Sequence, residues 1–201
     1  MYSEAFQDEF VYEILGSPSH GVFVDVGGGC EDHTKGSNSL FFEELGWDGV
    51  VMDADINRLK GRKSKCVAAM IGEDAGMVPI CSVLEKNSIP KLVDYLSIDI
   101  DGKDYYVLKS FINGGYDFKV CTIEHDLYSG RVESVCMKSN IFNLMQSRGY
   151  VRIVENAGHR GHRSDLHHGY PYEDWYINPK HVSHEDVVTK ITTMKQKAVT
   201  L

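Results

Sequence analysis

Apolar residues fall at Phe6, Phe10, Val11, Ile14 and Leu15, the spacing of a helix with one buried face, and Gly16-Ser17-Pro18 breaks the run. Beyond it the period shortens. Gly21 to Val26 is a β-branched and aromatic run ending in Asp25 and three glycines, which predicts a buried strand entering a tight loop. Asn38 to Leu45 predicts a helix closed by Gly46, and Val50 to Asp53 a second buried strand. The alternation continues with strands over Lys65 to Ile71, Tyr95 to Asp99, Val120 to Glu124 and Tyr150 to Val154. Helices are predicted over Asp104 to Ile112 and Val135 to Arg148. Short apolar strands separated by amphipathic helices predict an α/β fold, a mostly parallel sheet with helices on both faces. Residues Asn156 to Tyr172, rich in His, Gly and Arg, show no period; an aperiodic stretch of that length is expected to be a lid or substrate loop.

With 201 residues the chain holds one domain, 1–201, and no second one of comparable size. A formal charge of −8 repels phosphate backbones, so no nucleic-acid partner is expected. Arg160 to His168 is the candidate for a local basic patch, with histidines that are mostly neutral at pH 7. The first residues carry acids where a secretory signal needs positive charge, and no apolar run approaches the roughly 18 residues of a membrane span. The expectation is a cytoplasmic protein with no membrane partner. Cys30, Cys66, Cys81, Cys121 and Cys136 are odd in number and lack CxxC spacing, so they read as reduced core residues.

In an open parallel sheet, ligands bind beyond the carboxyl ends of the strands. Four of the predicted strands end on acids: Asp25, Asp53, Asp99 with Asp101, and Glu124 with His125 and Asp126. The loop Asp25-Val-Gly-Gly-Gly lets backbone approach a ligand closely, although the same glycines serve a tight turn with no ligand. A nicotinamide site asks for G-x-G-x-x-G opening directly into a helix, and here a polar stretch, Cys30 to Ser37, intervenes. Asp53 suits the paired hydroxyls of a ribose, since a carboxylate accepts two hydrogen bonds from a vicinal diol; it equally suits a cap on residues 56–59.

Together, Gly21-Val-Phe-Val-Asp-Val-Gly27, Ser37-Asn38-Ser39 with Glu43, Leu45-Gly-Trp-Asp-Gly-Val-Val-Met-Asp53, Tyr95-Leu-Ser-Ile-Asp-Ile-Asp-Gly102 with Asp104, and Thr122-Ile-Glu-His125 resemble the FkbM family of S-adenosylmethionine (SAM)-dependent methyltransferases. The resemblance spans roughly residues 3 to 126. It implies a Rossmann-like class I methyltransferase fold and methyl transfer to a hydroxyl of a sugar, glycan or small metabolite. It places Asp25 and Gly27 near the methionine moiety, Asp53 on the ribose, and Ala69, Met70 and Ile71 against the adenine. Gly29 and Asn38 join these cofactor-binding positions. The chain departs from the family in carrying Asp101 and Asp104 where Glu is usual, and Glu31 where glycine is usual.

Methyl transfer to an alcohol requires a positioned acceptor and removal of its proton, for which Asp99, Asp101 and His125 are the candidates. His125 also reads as a satisfied structural histidine. Asp99, Asp101 and Glu124 offer a hard oxygen set for Mg²⁺, which would lower the acceptor's pKa. Arg160 and Arg163 are candidate contacts to the acceptor, or belong to a solvated loop. The histidines at 159, 162, 167 and 168 match no closed zinc motif. Trp175 with Tyr170, Tyr172 and Tyr176 fits either a sugar-stacking platform or the packing of a final strand. Two other functions remain open: a noncatalytic SAM-binding module, and a metal-dependent hydrolase using the strand-end acids.

Overall fold

Phe10, Val11 and Ile14 line the buried face of the first helix, α1 (Gln7–Ile14), and Phe10 lies against Trp175 with ring centroids 4.4 Å apart. The computed structural model describes residues 1–30, 36–158 and 171–190. The alternation then runs β1 (Val22–Val26), α2 (Leu40–Glu44), β2 (Asp48–Asp53) and β3 (Lys65–Ala68), followed by α3 (Ile80–Lys86), β4 (Leu92–Ile98), α4 (Asp104–Asn113) and β5 (Asp117–Glu124). The chain continues with α5 (Val132–Ser147), β6 (Val151–Gly158) and β7 (Pro171–Ile177). Short 3-10 turns cover Ile56–Leu59 and Leu127–Ser129, and residues 184–190 are helical.

The seven strands form one sheet in the order β3-β2-β1-β4-β5-β7-β6. The first five pair in parallel, while β7 runs antiparallel between β5 and β6. Side chains alternate across this sheet as the two-residue strand period requires. Val24, Val26, Val50 and Met52 face a core built with α3, α4 and α5 residues; Phe23, Val51 and Tyr95 face a second core with Phe10, Phe42 and Trp47. Both faces are therefore covered, and the sheet is an α/β, Rossmann-like arrangement whose chain reverses direction of progress beside β1. No helix among the described residues is long and apolar enough to cross a membrane.

Several boundaries differ from the sequence pattern. Helix α3 is not anticipated: its apolar Ile80, Val83 and Leu84 occupy only two turns, too few for a period to show. Strand β3 ends at Ala68, and residues 69–71 leave the sheet, with Ile71 bridging Val78 instead. Strand β6 runs on to Gly158 and β7 starts at Pro171, so the expected loop is shorter at both ends. Register shifts between Arg152, Val154, Ala157 and Gly158 break the alternation past Val154, so the sequence pattern shows only the first half of β6. Trp175, Tyr172 and Tyr176 are buried, which settles them as strand packing rather than a sugar platform. Among the cysteines, Cys30 and Cys121 are buried but Cys66 and Cys136 are exposed. Cys66 lies on the edge strand β3, and Cys136 on the mostly exposed helix α5.

Candidate active site

The three glycines after β1 are fixed by what surrounds them. Gly27 has φ +85°, and a Cβ there would stand 1.6 Å from the Asp99 carbonyl oxygen, so no other residue fits this conformation and this gap. Its N–H and that of Gly28 both donate to the Met52 carbonyl, at 2.8 and 3.1 Å. A Cβ on Gly29 would lie 2.2 Å from Asp53 Oδ2. The turn is thus threaded between β2 and β4 at their carboxyl ends.

Beneath it lies a buried polar clamp. Asp25 Oδ2 accepts from Ser39 Oγ at 2.5 Å, and burial pushes this carboxyl up while Arg62 opposes the shift. The Arg62 side chain, 2% exposed, donates to Ser39 Oγ, Ser37 Oγ and the Gly28 carbonyl. It also pairs with Glu43 at 3.1 Å. Glu43 in turn accepts from the N–H groups of Lys63 and Ser64, which hold it below its ordinary value although burial acts the other way. Asn38 donates to Ser97 Oγ at 3.0 Å. Asp25 and Asn38 therefore brace the turn from below and do not line the open cleft above it.

That cleft holds a cavity of about 170 Å³ that opens to solvent. Its walls are Gly27, Met52, Asp53, Ala54, Arg58, Ala69, Met70, Ile71, Met77, Asp99, Ile100, Asp101 and Lys103. Seven of the residues singled out from sequence meet here: Gly27, Asp53, Ala69, Met70, Ile71, Asp99 and Asp101. Asp53 Oδ1 accepts from Asp55 N at 2.7 Å and Oδ2 from Gly29 N at 3.1 Å. A carboxylate has about four acceptor positions, so Asp53 retains capacity toward the cleft. Arg58 stands 3.7 Å from its Oδ2.

The opposite wall is acidic. Asp99 is pushed above its ordinary value by burial and by Asp101 and Asp25, although a hydrogen bond with Glu124 acts against the shift. Glu124 is pushed up to about 12 by burial and by the adjacent Asp99 charge, so it holds a proton at neutral pH. Asp104, buried at the start of α4, accepts from Ile100 N and Gly102 N at 3.0 and 3.1 Å. Those bonds fix the turn that carries Asp101 at φ +52°. Burial nonetheless raises Asp104 to about 7.

His125 does not join this wall. It is 1% exposed, its Nε2 lies 3.3 Å from Asp174 Oδ1, and its Nδ1 accepts from Leu127 N at 3.2 Å. Both nitrogens are used, so the base assignment is corrected to the structural alternative. The partner, Asp174, belongs to β7, whose insertion beside β5 no local pattern announces. The structure also departs from the expected cation set: carboxylate oxygens from Asp101, Glu124 and Asp126, rather than Asp99, lie within 4.8 Å of one another. Glu31, Arg160, Arg163, Tyr170 and the histidines at 159, 162, 167 and 168 lie outside the described residues.

Arg62, Met77 and Lys103 escaped the sequence reading. Arg62 sits in Arg58-Leu-Lys-Gly-Arg-Lys-Ser-Lys65, a run that looks like solvated surface; only its buried partners reveal its role. Lys103, beside the cleft, pairs with Asp74 at 2.6 Å.

Fold and cleft together define a Rossmann-like α/β protein with an open cleft at the carboxyl ends of β1 to β4. Compared with known protein families and with curated proteins, the chain matches none.

Proposed function

We propose that the chain is a SAM-dependent methyltransferase that transfers a methyl group to a hydroxyl of a sugar, glycan or small metabolite. One observation carries the reading: the cleft collects its recognition groups in the order that the parts of an adenosyl-methionine molecule require. Across the sheet edge come the apolar segment Ala69–Ile71 with Met77 after β3, the acceptor Asp53 on β2, the glycine turn after β1, and Asp99 after β4. An adenine suits the first, a ribose diol the second, and the positive sulfonium the acidic fourth. The departure from the strand order 3-2-1-4-5-6 of dinucleotide enzymes, together with the missing G-x-G-x-x-G, favours this cofactor over a nicotinamide.

When bound, the cofactor supplies an electrophilic methyl group whose sulfur leaves without a protein acid. The chain then has to hold the acceptor oxygen in line and take its proton. Asp99 is the base of this proposal. It lines the cleft, and its raised pKa brings it nearer to working pH, where proton transfer is most effective. Asp101, exposed at the mouth, orients the acceptor.

Calorimetric titration of the purified chain with S-adenosylhomocysteine tests the cofactor reading. Saturable one-site binding that Asp53→Ala weakens is the expected result, and a folded chain that binds none would overturn it. Methyl transfer to a panel of hydroxyl acceptors then separates an enzyme from a binding module.

A further inference from the structure

At the ends of β4 and β5 three carboxyl groups converge on one another. One oxygen each from Asp101, Glu124 and Asp126 falls within 4.8 Å of the others. Two oxygens in this cluster, Glu124 Oε2 and Asp126 Oδ1, are buried and have no hydrogen-bond partner among the described residues. Glu124 is 5% and Asp126 4% exposed, so bulk water does not satisfy them. Arg131 pairs with Asp126 through the other oxygen, Oδ2, at 2.9 Å, and leaves Oδ1 open.

We propose that Asp101, Glu124 and Asp126 form a binding site for a hard divalent cation, beside the cleft and distinct from the cofactor's own contacts. Oxygen atoms on opposite sides of such an ion stand about 4.2 Å apart for Mg²⁺ and roughly 4.6–5.2 Å for Ca²⁺, twice the respective metal–oxygen distance. The observed spacing meets that requirement with little movement. A water molecule would supply hydrogen bonds to the orphaned oxygens but would add no counter-charge to the three crowded carboxyl groups. A cation answers both needs at once, and all-oxygen ligands select Mg²⁺, Mn²⁺ or Ca²⁺ over the softer transition metals. Asp101 is exposed and gives the ion its path in from solvent. The same side chain lines the cleft, so the ion reports on the acceptor side of that cleft and not on Asp53.

The site stands apart from the cofactor reading, and its test uses no cofactor. Mn²⁺ is titrated into the metal-free full chain, with the free ion followed by electron paramagnetic resonance. The expected result is one saturable site per chain, displaced by Mg²⁺ or Ca²⁺. Glu124→Gln and Asp126→Asn should each weaken Mn²⁺ at least tenfold. Asp74→Asn, which removes an exposed acid away from the cluster, should leave it unchanged. Asp101→Asn keeps the test available should either buried variant fail to fold, because Asn tolerates the left-handed backbone at this position; it too should weaken Mn²⁺ about tenfold. No saturable binding to the native chain, or undiminished binding in folded Asp101→Asn and Glu124→Gln, would overturn the proposal.

Discussion

The two ends of the cleft treat their acids in opposite ways. On the β1–β2 side, Asp53 is held by the N–H groups of Gly29 and Asp55, and Asp25 by Ser39 with Arg62 behind it. On the β4–β5 side, Glu124 has Asp99, Asp104 and Asp126 as neighbours. Backbone and hydroxyl donors fill acceptor positions of a buried carboxylate; mutual crowding instead favours uptake of a proton or a cation. The first arrangement suits a fixed acceptor for ligand hydroxyls. The second suits groups whose protonation must change, which is what proton removal and cation capture both need.

If that contrast is right, neutralising the crowded side should damage turnover and spare cofactor affinity. Asp99→Asn is expected to lower kcat by about 10²–10⁴, the usual contribution of a placed base, with S-adenosylhomocysteine affinity changed by less than about threefold. Steady-state kinetics with an accepted hydroxyl substrate, beside a binding titration, reads both. Full turnover in the variant would remove the reaction centre from this end of the cleft.

Gly27 stands at the boundary between the two ends, so a change there should affect both. Gly27→Ala meets a steric clash with the Asp99 backbone and a left-handed conformation together, and is expected to cost about 3 kcal/mol or more of stability. Urea denaturation measures it. A loss below about 1 kcal/mol would mean that the turn yields more readily than its contacts with Met52 and Asp99 imply.

How much of this was legible follows the same divide. Asp53 and the glycine turn stand at the ends of parallel strands, so strand ends read from local pattern placed them at one sheet edge; the 69–71 segment was expected there only from the resemblance to the FkbM family. The βαβ rhythm through Glu124 was equally local. His125 misled because its partner Asp174 lies on β7, and the pairing of β7 with β5 depends on a long-range antiparallel insertion. Arg62 misled for the same reason: sequence neighbours made it look solvated, while tertiary partners bury it. Asp126 was noticed at its strand end but left out of the expected cation set, since only three-dimensional spacing distinguishes it from Asp99.

A third test concerns the protons held in the crowded region. Glu173, on β7, is 1% exposed and accepts from Trp175 Nε1 at 2.6 Å. Burial first, and then the Asp99 charge, raise its carboxyl from 4.5 to about 8. Between those values the folded chain binds more protons than the unfolded one, so this group's contribution to stability falls as pH rises and is constant above about 8. Asp174 and Glu43, both lowered, act with the opposite sign and in acid, below this window. Glu173→Gln, which keeps an acceptor for Trp175 without a titrating group, should therefore gain on the native chain by a few kcal/mol between pH 5 and 8. A difference in unfolding free energy that stays flat over this range would show that Glu173 is ionised throughout.

The smallest effect belongs to the donor-held side. Asp53→Ala is expected to weaken S-adenosylhomocysteine by about 1–3 kcal/mol, the scale for removing the partner of buried hydroxyls, without touching the acidic wall. Affinity alone is ambiguous, because the variant also leaves the N–H groups of Gly29 and Asp55 without their acceptor and disturbs the turn. A double-mutant cycle removes that ambiguity. The native chain and Asp53→Ala are each titrated with S-adenosylhomocysteine and with its 2′-deoxy and 3′-deoxy analogues. Where Asp53 accepts from the diol, the native chain discriminates against the deoxy ligands and the variant does not, since its hydrogen bond is already gone. Where Asp53 only anchors the turn, both chains discriminate equally, and the carboxylate's free acceptor positions face something other than ribose.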